Sequence, residues 1–293
     1  MPKYMEKLII AGAWLSGLLL MAAVGAILTF LLVQGAQALR WELIFGTTPI
    51  LEALTLQREV FQGLFPAIVG TLLLVLLAVA LALPVGLAAG IYLAEYSRGR
   101  WKGLFSLFCD ILAGIPSILV GLFGFSLAIM LHKYLAAAIY PCLLISALSL
   151  SFLVLPYFIR TTQVALENVT PEIRRTALAL GASKLQNIVH ILIPQALPGI
   201  TSGAILGIGR CAEDTAVIML TGVVAMAGIP HSLLAKYEAL PFFIYYISSQ
   251  YSDRQELEMG YGASILLLAV CLSLFLLALL VKRRFAGPLL YRL

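Results

Sequence analysis

Arg210, Glu213 and Asp214 place three charges within five residues of a stretch, 195–224, that is otherwise almost entirely apolar. At the centre of a bilayer each charge costs about 2.5–3.5 kcal/mol on insertion scales, so such side chains persist where they satisfy one another or face a polar path. The i,i+3 and i,i+4 spacings put both carboxylates on the arginine's side of a helix. Two chemistries fit that arrangement. One is a self-contained ion-pair cluster that orients or locks helices. The other is a pathway for an oxyanion, because a planar guanidinium offers two parallel hydrogen bonds and stays charged at any working pH. One arginine against two ionised carboxylates sums to −1, which repels an anion. The pathway reading therefore needs a carboxylate protonated by burial, further positive charge from elsewhere, or a cluster that mainly gates.

The elements that must hold these residues are membrane helices. Of 293 residues, 62% are hydrophobic and 11% are charged, and the mean hydropathy is +1.03. A soluble domain of this length carries about twice that charged fraction. Six segments reach the roughly 20 apolar residues that a span requires: 8–33, 64–93, 104–131, 135–159, 195–224 and 261–281. The first is too long for a signal-peptide core and reads as a retained anchor, despite Lys3, Lys7 and the Ala36-Gln37-Ala38 stretch.

The net charge of +5 is a topology signal and carries no implication of nucleic acid. With the N-terminus inside, thirteen Lys and Arg fall on the inner face, among them Arg98, Arg174, Arg175, Lys184, Lys282, Arg284 and Arg292. Five fall outside (Arg40, Arg58, Lys133, Lys236 and Arg254), and Arg210 stays within the membrane. The positive-inside rule then puts both ends in the cytoplasm. The outer segment 225–260 carries Glu238 and an aromatic run at Phe242, Phe243, Tyr245 and Tyr246, suited to an interface with lipid or to an external partner. The four cysteines have neither disulfide-scaffold nor metal-ligand spacing, and His132, His190 and His231 do not cluster.

The loop about 164–194 is too polar to span, yet it is punctuated as two short helices. Thr170 is placed as N-cap with Pro171 at the first helical position. Gly181 ends that helix in a left-handed residue, and Ser183 with Gln186 forms a capping box for the next, which Pro194 separates from the fifth span. Ala177, Leu178, Leu180, Ala182, Leu185 and Ile188 would then be displayed on the cytoplasmic side. An amphipathic connector on the lipid surface and a docking element for a soluble partner both fit. Pro84, Pro116, Pro156 and Pro198 are expected to kink spans, while Gly121, Gly124, Gly203, Gly207 and Gly209 permit close helix approach.

Ala177-Leu-Ala-Leu-Gly181 followed by Ile191-Leu-Ile-Pro194 resembles the EAA loop of ABC importer permeases, in which the loop inserts into a groove of the ATPase. Arg175 and Thr176 stand where that family has Glu and Ala, and Glu172 lies three residues before Arg175. From about residue 62 onward the chain is most similar to the phosphate-specific (Pst) permeases. The stretches Ala80–Tyr96, Ile115–Gly124 and Gly209-Arg-Cys-Ala-Glu-Asp-Thr-Ala216 carry the likeness, and the Leu240-Pro-Phe-Phe-Ile tail looks PstA-like. The third stretch departs from the family, with Glu213 for a glycine and Asp214 for a glutamate.

The resemblance implies an all-α integral membrane fold of about six transmembrane helices, the type I ABC importer permease. Residues 1–60 would be an N-terminal anchor helix and external segment, and 61–285 the permease domain. It implies coupling to an ATPase through Glu172, Ala177, Gly181, Ala182 and Ser183, and a substrate pathway at Arg210, Glu213 and Asp214. The implied partners are a PstC-like sister permease, a PstB-like ATPase dimer that holds ATP and Mg, and a PstS-like external phosphate-binding protein. No cofactor is expected on this chain, since no G-x-x-x-x-G-K-[ST] loop occurs in it. A permease for another oxyanion or polar solute is the first rival. A stand-alone channel or an intramembrane enzyme is the second, and the latter lacks an H-E-x-x-H or comparable set.

Overall fold

A computed structural model describes residues 3–49, 52, 63–135 and 140–290. Arg58, Arg292 and the proposed domain boundary at 60/61 lie outside the described residues, as do the side chains of Lys282 and Arg284. The described chain folds as helices: α1 (Lys3–Gly35), α2 (Trp41–Phe45), α3 (Phe65–Ile91), α4 (Gly99–Ala113), α5 (Ser117–Tyr134) and α6 (Leu143–Glu167). There follow α7 (Pro171–Ala179), α8 (Lys184–Asn187), α9 (Ile193–Glu213), α10 (Thr215–Thr221), α11 (Leu240–Gln250) and α12 (Arg254–Leu290). Among the described residues, six helical stretches are long and apolar enough to cross a membrane.

α6 is the centre of the bundle and packs against α3, α9 and α5. Its inward face is closed by Leu150, Val154 and Phe158, each fully buried. Close approach is set by missing side chains. Gly86 and Gly90, four residues apart on α3, form a small-xxx-small face; a Cβ on Gly86 would lie 2.4 Å from Phe158 Cβ, and one on Gly90 2.6 Å from Thr162 Cβ. Gly203 and Gly207 of α9 meet Thr161 and Phe158 of α6 in the same way, and Gly124 of α5 meets Ser149. The glycines expected to permit contact are thus packing positions. α1 leans on α12 and leaves most of its length exposed, as a helix solvated by lipid or by another subunit must.

Three span boundaries differ from the sequence expectation. The segment 104–131 is two helices, α4 and α5, because Gly114 and Pro116 interrupt it. The fourth span begins at Leu143 and runs to Glu167 rather than ending at 159. The fifth is broken: α9 stops at Glu213, Asp214 is extended (φ −77°, ψ 109°), and α10 restarts at Thr215.

At one end of the bundle the segment 222–239 folds back over the start of α6. Leu143 and Leu144 donate their N–H groups to Ala235 O (3.0 Å) and Leu233 O (2.9 Å), so backbone satisfies the uncapped helix start. Gly222, at φ +145°, passes so close to Cys142 that a Cβ would sit 2.4 Å from its nitrogen. In the adjoining α11, Phe242 and Phe243 pack on the core while Tyr245 and Tyr246 are exposed.

Candidate functional site

The break in the fifth span is where the charged triplet sits. Asp214 caps α10: its Oδ1 accepts the Val217 N–H at 3.0 Å, and its side chain is only 4% exposed. A buried carboxylate is tolerable when hydrogen-bonded in this manner. Arg210, on the last turn of α9, places Nη1 3.2 Å from Glu213 Oε1 and Nη2 3.9 Å from Asp214 Oδ2. Both carboxylates therefore do lie on the arginine's side. They are not equivalent: the Glu213 side chain is 63% exposed and Asp214 is committed to the cap. Arg210 Nε is buried without a hydrogen-bond partner among the described residues. The break also leaves the last carbonyls of α9 without helical donors, and irregular backbone at membrane depth is tolerated only inside protein or beside a water-filled path.

At the opposite end of α6 from the 222–239 segment lies the predicted coupling element. Pro171 occupies the first turn of α7, and Thr170 holds the N-cap position, although its side chain makes no capping hydrogen bond. Gly181 is left-handed at φ +84°. Ala182 donates to Ala177 O at 3.0 Å and Gly181 to Leu178 O at 3.1 Å, the paired bonds of a Schellman motif. Ser183 and Gln186 form the reciprocal capping box. The second helix is not separate, however. α8 passes through a wide turn at Ile188–Leu192 straight into α9, since Pro194 brings no N–H and crowds the carbonyl four residues before it. Ile188 is correspondingly buried at 2% and is not displayed; Leu178, Leu180 and Leu185 are exposed, Leu180 at 84%. Glu172 and Ser183 are exposed, and Ala177 and Ala182 half-buried.

Sequence reasoning missed what holds this element. Arg174 Nη1 pairs with Glu95 Oε1 at 2.6 Å, its Nε donates to Val169 O at 3.1 Å, and Nη2 donates to Leu166 O. Asn187 Nδ2 donates to Arg174 O at 3.0 Å. Lys184 donates to Glu95 O and lies 4.2 Å over the Tyr96 ring. Beneath them Leu166, Ile188, Leu192 and Ala196 make a separate apolar cluster. α7 and α8 are thereby fastened to the ends of α3, α6 and α9. Glu95 and Arg174 are 79 residues apart, so no local spacing announces the pair. The available signal was a carboxylate, Glu95, at the end of an apolar span, followed by charges that are all basic (Arg98, Arg100 and Lys102).

Residues 86–287 match the family described as binding-protein-dependent transport system inner membrane component. The phosphate transport system permease protein PstA 1 of Mycobacterium tuberculosis is 33% identical over 232 residues, covering 78% of this chain and 73% of the relative. The PstA of Haemophilus influenzae is 30% identical over 251 residues, covering 85% and 84%. Among solved structures, a bacterial ABC transporter that imports alginate superposes with a TM-score of 0.61 at 18% identity, over 91% of this chain and 95% of that one. The MetNI methionine ABC transporter gives 0.57 at 18%, over 77% and 95%. The chain belongs to the inner membrane components of binding-protein-dependent transport systems, and its helical bundle is that of an ABC importer permease.

Proposed function

We propose that this permease moves inorganic phosphate inward across the cell membrane, with Arg210 as the group that meets the passing anion. The observation that carries the reading is the state of Arg210: its ion pairs are loose, and one of its buried N–H donors is unused at a break in a spanning helix. The PstA names of its relatives support phosphate as the oxyanion. In this reading Arg210 Nε and Nη2 take the phosphate oxygens. Glu213, exposed and 3.2 Å from Nη1, re-forms its pair as the anion leaves. Asp214 holds the bend that aims Arg210 and, being spent on the cap, contributes less repulsion than its formal charge.

Coupling runs through α7 and α8, with Leu178, Leu180 and Leu185 as the apolar contact and Glu172, Ala177, Gly181, Ala182 and Ser183 shaping it. A PstB-like ATPase dimer would hold ATP and Mg, a PstC-like sister permease would complete the pathway, and a PstS-like protein would deliver phosphate. This chain would bind no cofactor, and both its ends would be cytoplasmic. The test is ATP-dependent uptake of labelled phosphate in proteoliposomes holding the complex and its binding protein, with excess sulfate and molybdate as competitors. Arg210→Gln is expected to abolish uptake while complex assembly and basal ATP hydrolysis persist. Unchanged uptake in that variant would remove Arg210 from the pathway, and inhibition by sulfate or molybdate would move the substrate to another oxyanion.

A further inference from the structure

Between the end of α3, the start of α4 and the α7–α8 turn lies a cavity of about 590 Å³, far from the Arg210 break. Arg98, Lys102, Arg174, Arg175 and Lys184 line it, against Glu95 as its one lining carboxylate. Glu95 is already paired with Arg174, and Lys102 with Glu167 at 2.7 Å. Arg98 and Arg175 form no ion pair among the described residues, so positive charge is left over. Gly99, the first residue of α4, also lines the cavity, and the N-cap residue Arg98 gives that 15-residue helix no side-chain cap. Its first amide donors therefore remain open to an anion.

Two buried polar atoms supply an independent pointer. Ser97 (8% exposed) and Asn187 (4% exposed) both line the cavity. Among the described residues, Ser97 Oγ and Asn187 Oδ1 have no hydrogen-bond partner. A buried polar atom left without a partner is destabilising, so each calls for one. The Asn187 amide is oriented by its Nδ2 bond to Arg174 O, so the orphan is an acceptor and requires a donor. A ligand that suits both features carries anionic oxygens and an O–H.

We propose that this cavity binds an anionic phosphate compound that also carries an O–H, either monohydrogenphosphate, with its P–OH, or the headgroup of an anionic glycerophospholipid such as phosphatidylglycerol, with its glycerol hydroxyls. The anionic oxygens face Arg98, Arg175 and the α4 amides, and the hydroxyl donates to Asn187 Oδ1 with Ser97 as second partner. Sulfate, which carries no O–H at neutral pH, fits poorly. The free-phosphate source is the more natural if phosphate is the transported solute, but the site itself does not depend on that reading.

The test uses the complex purified from membranes through a tag on this chain, in an Arg210→Gln background so that the pathway cluster contributes nothing. Equilibrium binding of ³²P-labelled inorganic phosphate is measured with and without excess sulfate, and native mass spectrometry reads retained phosphatidylglycerol. Adding Arg98→Gln is expected to weaken one of these two ligands by about tenfold, the loss of one charged hydrogen bond. Ser97→Ala, which removes no charge and fills no space, is expected to weaken the same ligand by about threefold. Loss of labelled phosphate identifies the free anion, and loss of retained lipid identifies the headgroup. A parent complex that holds neither, or variants that weaken neither ligand, overturns the site. Because binding is read directly, a complex that fails to transport phosphate does not imitate that failure.

Discussion

Arg174 and Arg210 are the same residue type at the ends of helices in one bundle, each facing carboxylate, and they are used in opposite ways. Arg174 is engaged at every nitrogen, with a 2.6 Å ion pair to Glu95 and bonds to two backbone carbonyls. Arg210 is under-used, with pairs at 3.2 and 3.9 Å and a buried Nε without a partner. A guanidinium held at all three nitrogens is a fastener. One with donors to spare, beside an exposed carboxylate that can let go, is equipped to exchange partners. What separates the two is how much backbone and charge the surrounding helices bring to each fork, and the arginine itself is the same.

The widest separation should come from stability. Arg174→Ala leaves Glu95 without its counter-ion and two carbonyls unpaired, and is expected to cost about 3 kcal/mol, read as a large fall in the complex's melting temperature together with lost uptake. Arg210→Ala should shift that temperature little, since the pairs it breaks are partly exposed. Equal losses in the two variants would erase the contrast.

The next effect is on chemistry alone. Arg210→Lys keeps the charge but not the fork, and uptake is expected to fall tenfold or more with assembly intact. Arg174→Lys should instead lose stability, because an ammonium cannot serve Glu95, Leu166 and Val169 together. Recovery of full uptake by Arg210→Lys would reduce that site to a point charge.

Asp214 divides cap from charge. Asp214→Asn keeps an oxygen for the Val217 N–H and should hold the melting temperature near that of the parent, whereas Asp214→Ala should cost about 1 kcal/mol. If the two are equally destabilised, the carboxylate is serving Arg210 rather than α10.

The smallest effect lies at the far end of the bundle. Burial raises the Glu238 carboxyl above its ordinary range, against hydrogen bonds from the Gly228 and Ala227 amides that lower it. A carboxyl raised in the folded state adds stability below its unfolded pKa and loses it as pH rises through the folded value. Glu238→Gln, which keeps the acceptor for Gly228, should therefore slightly raise the melting temperature at pH 7, with the gain shrinking toward pH 4. A variant less stable at pH 7 would mean that the charge is wanted there.

Much of this molecule was legible in the sequence, for reasons that are local. Helical spans follow from apolar length. The Schellman turn at Gly181 and the capping box at Ser183 follow from residue types three to five positions apart. The approach of Arg210 to Glu213 and Asp214 follows from the pitch of one helix turn. The break at Asp214 was not legible as such, because a residue with the right spacing to pair along a helix also has the right side chain to cap a new one. That competition was settled by α10 packing on α5. Ile188 was misread as displayed for a similar reason, since only the run of α8 into α9 turns it inward.

By itself, then, the sequence determined the membrane class, the punctuation of the 164–194 loop and the place of the charged triplet, all of which depend on interactions within a turn or two of chain. The tertiary structure alone decided that Arg174 is fastened to Glu95, that Arg210 is left with a donor to spare, and that Ser97 and Asn187 face one basic cavity. Those outcomes depend on which helix ends meet, and the meeting is set by glycine-lined contacts such as Gly86 and Gly90 against α6, between residues far apart in the chain.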